Sequence, residues 1–308
     1  MPEAPTFSVV IPAHNAVRTL PATIRSVLAQ TRQDFEILVV DDGSIDGTEE
    51  ALRRTSTDAR IVFLRQENSG PAVARNAGIE ASRGAFISLL DSDDLWLPTY
   101  LQAMAAALEA EPVAALAYTD AWRLDDEKRR IFRETIMATG NPPARPPRDP
   151  EALLLRLLRR NFVYTSATVR RSTLDEVGGF TNLTRSEDYE LWLRIAANGR
   201  IFARAQGVLA VYRDRPGSRI HDRVAMLTGQ REIFELVLGT YTLSPACRAL
   251  AEARLQATRK ELAELERRRL TAAPRPPSAL RGVARNVRHF RMRTPREIAR
   301  ALPDLREI

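Results

Sequence analysis

Four short apolar runs, at residues 7–11, 35–40, 61–64 and 86–90, alternate with segments whose apolar residues recur at helical spacing. No other feature constrains the fold as much. Strands that are apolar on consecutive residues need cover on both faces, and helices connecting parallel strands provide it. The pattern therefore predicts an α/β fold around a mostly parallel central sheet. Leu20, Ile24, Val27 and Leu28 share one face of the first connecting helix and should pack onto that sheet. Residues 70–81 read as a helix approached through Ser69-Gly70-Pro71, since proline's missing N–H costs little in a first turn. A helix over about 98–110 and a strand over 113–118 extend the series.

Gly140, Pro142, Pro143, Pro146, Pro147 and Pro150 make 137–150 a loop able to move, after which a helix resumes at 151–160. Ser186 suits a helix N-cap, with Glu187 and Asp188 complementing the helix dipole in the first turn and Gly199 closing the helix. Ser244-Pro245 opens another helix that runs to about Arg269, and three prolines within 271–277 separate it from a basic end. There is no internal repeat.

A net charge of +7 would suggest nucleic acid as a partner, but its location argues otherwise. Residues 248–308 hold 16 Lys and Arg against 7 Asp and Glu, an excess larger than that of the whole chain, so residues 1–247 are slightly acidic. The basicity belongs to the tail, which reads as a solvated arginine-rich face, with attraction to an anionic membrane surface as the alternative. The single cysteine, Cys247, excludes an internal disulfide and fits a reducing compartment. The start is not basic-then-apolar, and no apolar run approaches the roughly 20 residues that span a bilayer. A cytoplasmic protein is expected, soluble or peripheral at the inner face of the membrane.

Open α/β sheets bind ligands above the carboxyl ends of their strands. The polar clusters Pro12-Ala13-His14-Asn15, Asp41-Asp42-Gly43-Ser44 and Asp91-Ser92-Asp93-Asp94 sit at those ends. The last puts three carboxylates within four residues, and in a dry site they repel unless water or a cation compensates them. Oxygen ligands favour Mg²⁺ or Mn²⁺ over zinc, and diphosphate oxygens commonly complete such a shell. A metal-bound diphosphate is thus the natural ligand. An Asp-x-Asp alone is more often a solvated turn or a helix cap; its place directly after an apolar strand favours the site. The glycines and serine at 43–48 suit either a phosphate-cradling turn or an ordinary one. Walker A is absent, and so is Gly-x-Gly-x-x-Gly after the first strand, which argues against a nucleoside triphosphatase and a classical dinucleotide dehydrogenase.

Ser8-Val9-Val10-Ile11-Pro12-Ala13-His14-Asn15, Val39-Val40-Asp41-Asp42-Gly43-Ser44 with Asp46-Gly47-Thr48, Ala74-Arg75-Asn76-Ala77-Gly78-Ile79 and Leu90-Asp91-Ser92-Asp93-Asp94 resemble, in order and spacing, the family 2 glycosyltransferases. Val177-Gly178-Gly179-Phe180 and Ser186-Glu187-Asp188-Tyr189-Glu190-Leu191-Trp192-Leu193-Arg194 carry the resemblance over roughly residues 6–220. It implies a GT-A fold, a Rossmann-like three-layer sandwich, and bacterial polysaccharide or glycoconjugate biosynthesis. It implies a nucleoside-diphosphate sugar donor, UDP first among them, Mn²⁺ or Mg²⁺ as cofactor, and inverting transfer to a saccharide, lipid-linked or other hydroxyl acceptor. Residues 1–240 would be the catalytic domain, about 1–119 for the donor and about 120–240 for the acceptor, with 241–308 a helical, basic extension.

Carried over by position, the resemblance puts Pro12 and His14 beside the nucleobase, Asp41 and Asp42 at the uracil and ribose, Arg75 and Asn76 in the donor pocket, and Asn15 and Ser92 among the other nucleotide-sugar-binding residues. Asp91 and Asp93 match the Asp-x-Asp pair, with Asp93 the foremost metal ligand and Asp91 nearer the ribose or donor sugar. Asp188 matches the general base, with Glu187 and Trp192 on the acceptor side. The chemistry agrees: an acceptor hydroxyl loses its proton as it attacks, and the leaving diphosphate gains charge that a metal offsets.

One position departs from the family pattern. Tyr212-Arg213-Asp214-Arg215-Pro216-Gly217-Ser218 resembles Tyr-Arg-x-His-Pro-Gly-Ser, with Arg215 where the family has a histidine near the diphosphate or metal. A guanidinium matches phosphate oxygens but cannot ligate a cation, so Arg215 joins the donor-binding set, and His221 is a weak substitute ligand. The absence of Gln-x-x-Arg-Trp argues against a processive synthase. A nucleotidyltransferase or a non-catalytic nucleotide-sugar-binding protein are the alternatives; the former usually carries a basic glycine-rich loop after its first strand, and Pro12-Ala13-His14-Asn15 is not one. Residues 120–185 should shape the acceptor pocket, with 161–165 or Arg185 lining it.

Overall fold

The computed structural model describes residues 4–132, 134–137, 145–215, 218 and 221–271. Residues 138–144 of the expected loop, and the basic tail beyond 271, lie outside the described residues. The elements run β1 (Phe7–Ala13), α1 (Leu20–Leu28), β2 (Phe35–Asp42), α2 (Thr48–Thr55), β3 (Ile61–Gln66), α3 (Pro71–Ala81), β4 (Phe86–Leu89), β5 (Leu95–Trp96), α4 (Tyr100–Ala110) and β6 (Ala114–Asp125). They continue through β7 (Arg130–Ile131), α5 (Pro150–Arg159), β8 (Ala167–Arg170), α6 (Arg171–Val177), α7 (Glu187–Ala197), β9 (Ile201–Asp214), α8 (Arg223–Thr240) and α9 (Pro245–Thr271).

All these strands join one sheet in the order β3-β2-β1-β4-β8-β6-β9-β5, with β7 on β6. From β3 to β4 the pairings are parallel, the half that the alternating pattern described. Beyond it β8 runs antiparallel to both β4 and β6, while β6 and β9 pair in parallel. The strand expected at 113–118 extends to Asp125, because β9 pairs with it along its length. One continuous strand therefore crosses residue 119.

Successive strand residues enter opposite cores, as a pleated backbone requires. Val10, Leu38 and Ile87 face a core shared with α5 and α7, whereas Val9, Ile11 and Ile37 face one shared with α1 and α4. Helices on both faces give three layers. The C-terminal helix α9 is docked: Cys247, Ala251, Leu255, Thr258 and Leu262, three or four residues apart, are buried, and the helix packs on α5 and α8. Ser244 caps it, its Oγ accepting the Cys247 N–H at 3.2 Å. Among the described residues no helix is long and apolar enough to cross a membrane.

Helix α3 brings Arg75 and Asn76 to the sheet, and Gly78 sets how closely it approaches. A Cβ at Gly78 would lie 2.6 Å from Val10 Cγ1 and 3.2 Å from Val40 Cγ2. Gly78→Val is expected to destabilise the protein by about 2–3 kcal/mol through overpacking, read as a lowered urea midpoint at constant slope. An unchanged midpoint would mean that α3 can lift from β1 and β2 freely.

Candidate active site

The carboxyl ends of β1, β2 and β4 open onto a cleft of about 780 Å³. Pro12, His14, Asp42, Arg75, Asp91, Ser92, Asp93 and Arg215 from the expected set line it. Asn15, Asp41, Asn76, Glu187, Asp188 and Trp192 do not. Each of these six has a physical reason for standing back.

Arg75 lies in the cleft floor at 4% exposure. Its Nη2 donates to Asp91 Oδ1 at 2.6 Å, and its Nη1 donates to Glu187, the first residue of α7. Burial works against the Arg75 charge, but the Asp91 and Glu187 carboxylates outweigh it and hold the guanidinium ionised. Glu187 is thereby occupied by Arg75. Ser186 occupies the cap position of α7 as the sequence suggests, but with φ 60° and without a side-chain cap bond. Asp188 Oδ1 instead accepts the Tyr189 N–H at 2.8 Å.

Asp188 sits one hydrogen bond behind the cleft wall: Thr165, which lines the cleft, donates its hydroxyl to Asp188 Oδ2 at 2.9 Å. Burial and the adjacent Glu187 charge push its carboxyl up to about 6, against the opposing pull of Arg75, Thr165 and the Tyr189 N–H. Trp192 is fully buried, with Leu191, Leu193 and Ile195, because α7 is enclosed by neighbouring helices and the sheet. Trp192, expected on the acceptor side, thus packs in the core away from the cleft wall.

The three carboxylates after β4 divide their work. Asp94, at 1% exposure, accepts the Tyr164 hydroxyl and the Arg213 N–H, which anchors the loop. Burial, then Asp93 and Asp91, raise it well above the usual carboxylate range. Burial and the Asp91 charge also raise Asp93, against Arg215 and Arg213. Arg215 Nη2 stands 2.8 Å from Asp93 Oδ2. Buried Arg213 donates from Nε to the Asp93 carbonyl and from Nη1 to Asp126, both at 2.8 Å. Among the described residues no group of three His, Cys, Asp or Glu could hold a metal, and His221 bonds Asp214 rather than Asp93. Asp91 and Asp93 carry carboxylate oxygens of the hard kind that Mg²⁺ or Mn²⁺ takes.

The rim at β1 and β2 is cross-linked. Asn15 donates its N–H to Ser44 Oγ at 2.9 Å and accepts the Ile45 N–H at 3.0 Å, and Val17 donates its N–H to Asp46 at 3.0 Å. Asp41, with no exposed surface, accepts the Ser44 N–H and lies 3.0 Å from Arg65 Nη1. Residues 43–48 thus form an ordinary turn outside the cleft wall. Asp42 accepts from Gln66 Nε2, the Ser69 N–H and the Gly70 N–H. His14 Nδ1 is 2.7 Å from the Asp42 carbonyl, a partner that assigns the proton to Nδ1. Asn76 pairs with both backbone groups of Phe180, at 2.7 and 2.8 Å. A Cβ at Gly179 would meet Asn76 Oδ1 at 2.4 Å, which explains the glycine there.

Sequence reasoning did not single out Asn68 or Tyr212 on the cleft wall; Arg123, Phe132, Glu134, Thr135 and Ile136 fall within the broad 120–185 span without having been named, and Tyr164 and Thr165 within 161–165. Asn161 and Arg185 lie off the wall. Residues 132–136 carry no motif; buried Asp120 holds them by accepting from the Thr135 hydroxyl at 2.6 Å and the Met137 N–H at 3.0 Å. A carboxylate inside an apolar strand was the one available signal.

Residues 8–178 match the model of the family described as Glycosyl transferase family 2. An uncharacterized glycosyltransferase of Rickettsia bellii is 38% identical over 124 residues, 40% of this chain and 18% of that protein, so the chain spans only a small part of that relative. The Escherichia coli UDP-Glc:α-D-GlcNAc-diphosphoundecaprenol β-1,3-glucosyltransferase WfaP is 27% identical over 231 residues, 75% of this chain and 86% of that one. Among solved structures, S. aureus TarS 1–349 in complex with UDP-GlcNAc has a TM-score of 0.67 at 19% identity, covering 87% of this chain and 76% of that one. Mannosyltransferase PcManGT from Pyrobaculum calidifontis, in complex with GDP-Man and Mn²⁺, has a TM-score of 0.63 at 19% identity, covering 88% and 77%. At these identities the likeness establishes the GT-A fold.

The raised Asp188 carboxyl has a consequence for stability. Between its ordinary value of 3.8 and about 6 the folded chain binds more protons than the unfolded one, so this group's contribution falls as pH rises through that window. Asp188→Asn removes the buried charge and is expected to be more stable than the unsubstituted protein by roughly 1–3 kcal/mol at pH 7.5, the gain vanishing near pH 4. Equal melting temperatures at both pH values would show that the charge is not destabilising.

Proposed function

The chain belongs to glycosyl transferase family 2, and from that membership we propose that it moves a sugar from a UDP-sugar to a hydroxyl acceptor with inversion at the anomeric carbon. The observation that carries this reading is the placement of Asp91 and Glu187, next to Asp188 at the α7 terminus, on one buried guanidinium in the cleft floor. The UDP-GlcNAc in the TarS complex and the UDP-Glc in the WfaP name support a UDP-sugar donor, and the GDP-Man of the Pyrobaculum complex supports the wider class.

Pro12, His14 and Asp42 form the nucleotide end of the cleft. Asp42 already accepts three hydrogen bonds, which leaves about one of its four lone-pair positions for a ligand. Its larger task is to hold residues 66–70 around the nucleoside. Asp91 and Asp93 would hold Mg²⁺ or Mn²⁺, which when bound offsets the charge of the departing diphosphate; the Mn²⁺ of the Pyrobaculum complex supports this.

Asp188 is the general base of the proposal. A carboxyl raised to about 6 is ionised at neutral pH yet basic enough to take a proton in the transition state. Thr165 orients Asp188 Oδ2, and the acceptor hydroxyl replaces Thr165 as the donor to that oxygen. Residues from about 1–119 then serve the donor and about 120–240 the acceptor. The acceptor class is a saccharide or lipid-linked saccharide, in keeping with the diphosphoundecaprenol-linked acceptor in the WfaP name. Such an acceptor fits action in the cytoplasm at the inner membrane face, and the basic sequence of 241–308 suits an anionic surface.

The test is turnover of a UDP-sugar panel with Mn²⁺ against candidate acceptors. Asp188→Asn is expected to lower transfer by about 10²–10⁴-fold while UDP binding persists. Unsubstituted activity should fall as pH drops below about 6, where Asp188 takes up a proton. Loss of UDP binding in Asp188→Asn would make the residue structural, and binding without transfer in the unsubstituted protein would favour a non-catalytic binding module.

A further inference from the structure

The cleft wall carries a cation where the family pattern has a histidine. Arg215 Nη2 lies 2.8 Å from Asp93 Oδ2, with 39% of the Arg215 side chain and 24% of the Asp93 side chain exposed. The other arginines near this carboxylate cluster are committed elsewhere. Arg75 bridges Asp91 and Glu187, and Arg213 is buried between the Asp93 carbonyl and Asp126. Arg123 stacks over Phe132 at 4.8 Å and pairs with Asp214. Among the described residues Arg215 has Asp93 as its one ion-pair partner, and it lines the cleft.

Described residues beside Arg215 are hydrogen-bonded. Asp214 is held by Arg123 and by His221 at 2.8 Å, and the Ser218 N–H donates to the Arg215 carbonyl at 3.0 Å. The Arg215 side chain has one carboxylate on one side and the open cleft on the other. An anionic ligand in that cleft meets a guanidinium that can offer two parallel N–H donors to phosphate oxygens. A divalent cation that uses Asp93 must first part Asp93 from Arg215.

We propose that Arg215 is the resident cation of a diphosphate subsite: it binds the diphosphate of a nucleoside diphosphate without a divalent metal, and it competes with the metal for Asp93. The inference rests on the donor-binding reading of the cleft. It assigns the metal a smaller part in ligand binding than a histidine at this position would.

Calorimetric titration of UDP, GDP and inorganic pyrophosphate into the full chain, in EDTA and in Mn²⁺, tests it. The unsubstituted protein should bind UDP or GDP in EDTA within about tenfold of its Mn²⁺ affinity. Arg215→Ala should lose about 10- to 100-fold of the EDTA affinity, the size of one or two hydrogen bonds to a charged group. Arg215→Lys should keep part of it. Arg215→His should bind weakly in EDTA and regain affinity with Mn²⁺, with Mn²⁺ uptake visible by electron paramagnetic resonance. Because the side chain is partly exposed, unchanged melting temperatures should accompany all three variants. UDP binding in EDTA that is equal in Arg215→Ala and the unsubstituted protein would overturn the proposal, as would binding of the unsubstituted protein only with Mn²⁺. If no nucleoside diphosphate binds in either buffer, the donor-site reading falls together with this one.

Discussion

A guanidinium taken out of water must be met by anions and hydrogen-bond acceptors, and Arg75 organises the active site by this requirement. Its charge costs several kcal/mol to bury, so the fold brings Asp91 from the β4 loop and Glu187 from the start of α7 to the same point. Phe180 covers the guanidinium at 5.3 Å, and Phe180 is itself pinned by Asn76, the next residue of α3. Two adjacent helix residues thereby fix the loop after β4, the glycine turn and α7 relative to one another. The same arrangement sets the electrostatics of Asp188, which stands in a desolvated place next to an occupied carboxylate.

Many motif residues spend their hydrogen bonds on each other. Asn15, Ser44 and Asp46 join the β1 and β2 loops, and Asp94 with Tyr164 and Arg213 fixes the loop that presents Asp91 and Asp93. A cleft whose ligand is charged needs rigid walls, since donors free to relax toward water lose the advantage of pre-set orientation. The motifs are therefore as much a description of scaffolding as of ligand contact. Asp41, Asn15 and Asn76 belong to the scaffolding.

The far wall follows a different logic. It is built by β6, β9 and the segment after β7, which folds back over the cleft under the hold of Asp120. Its residues include Phe132, Ile136 and Tyr212 beside the polar Arg123, Glu134 and Thr135. Nothing in the local sequence at 132–136 announces this, since a short strand pair and a turn carry no periodicity. Trp192 shows the reverse case, a residue within a recognisable motif that the packing of α7 turns into the core.

Local sequence was sufficient for the β-α alternation from residue 7 to 110, for the carboxylates at the strand ends, for the helices from 70, 151, 187 and 245, and for the family. These are short-range properties: periodicity sets which face is apolar, and a strand end sets where a polar side chain emerges. Tertiary structure alone decided which polar residues face the cleft and which face each other. Arg75 and Glu187 are 112 positions apart, and Asp93 and Arg215 farther still, so no local pattern could pair them. Burial decides such pairings, because a charge removed from water is stable only beside its complement, and which complement lies near is a property of the whole fold.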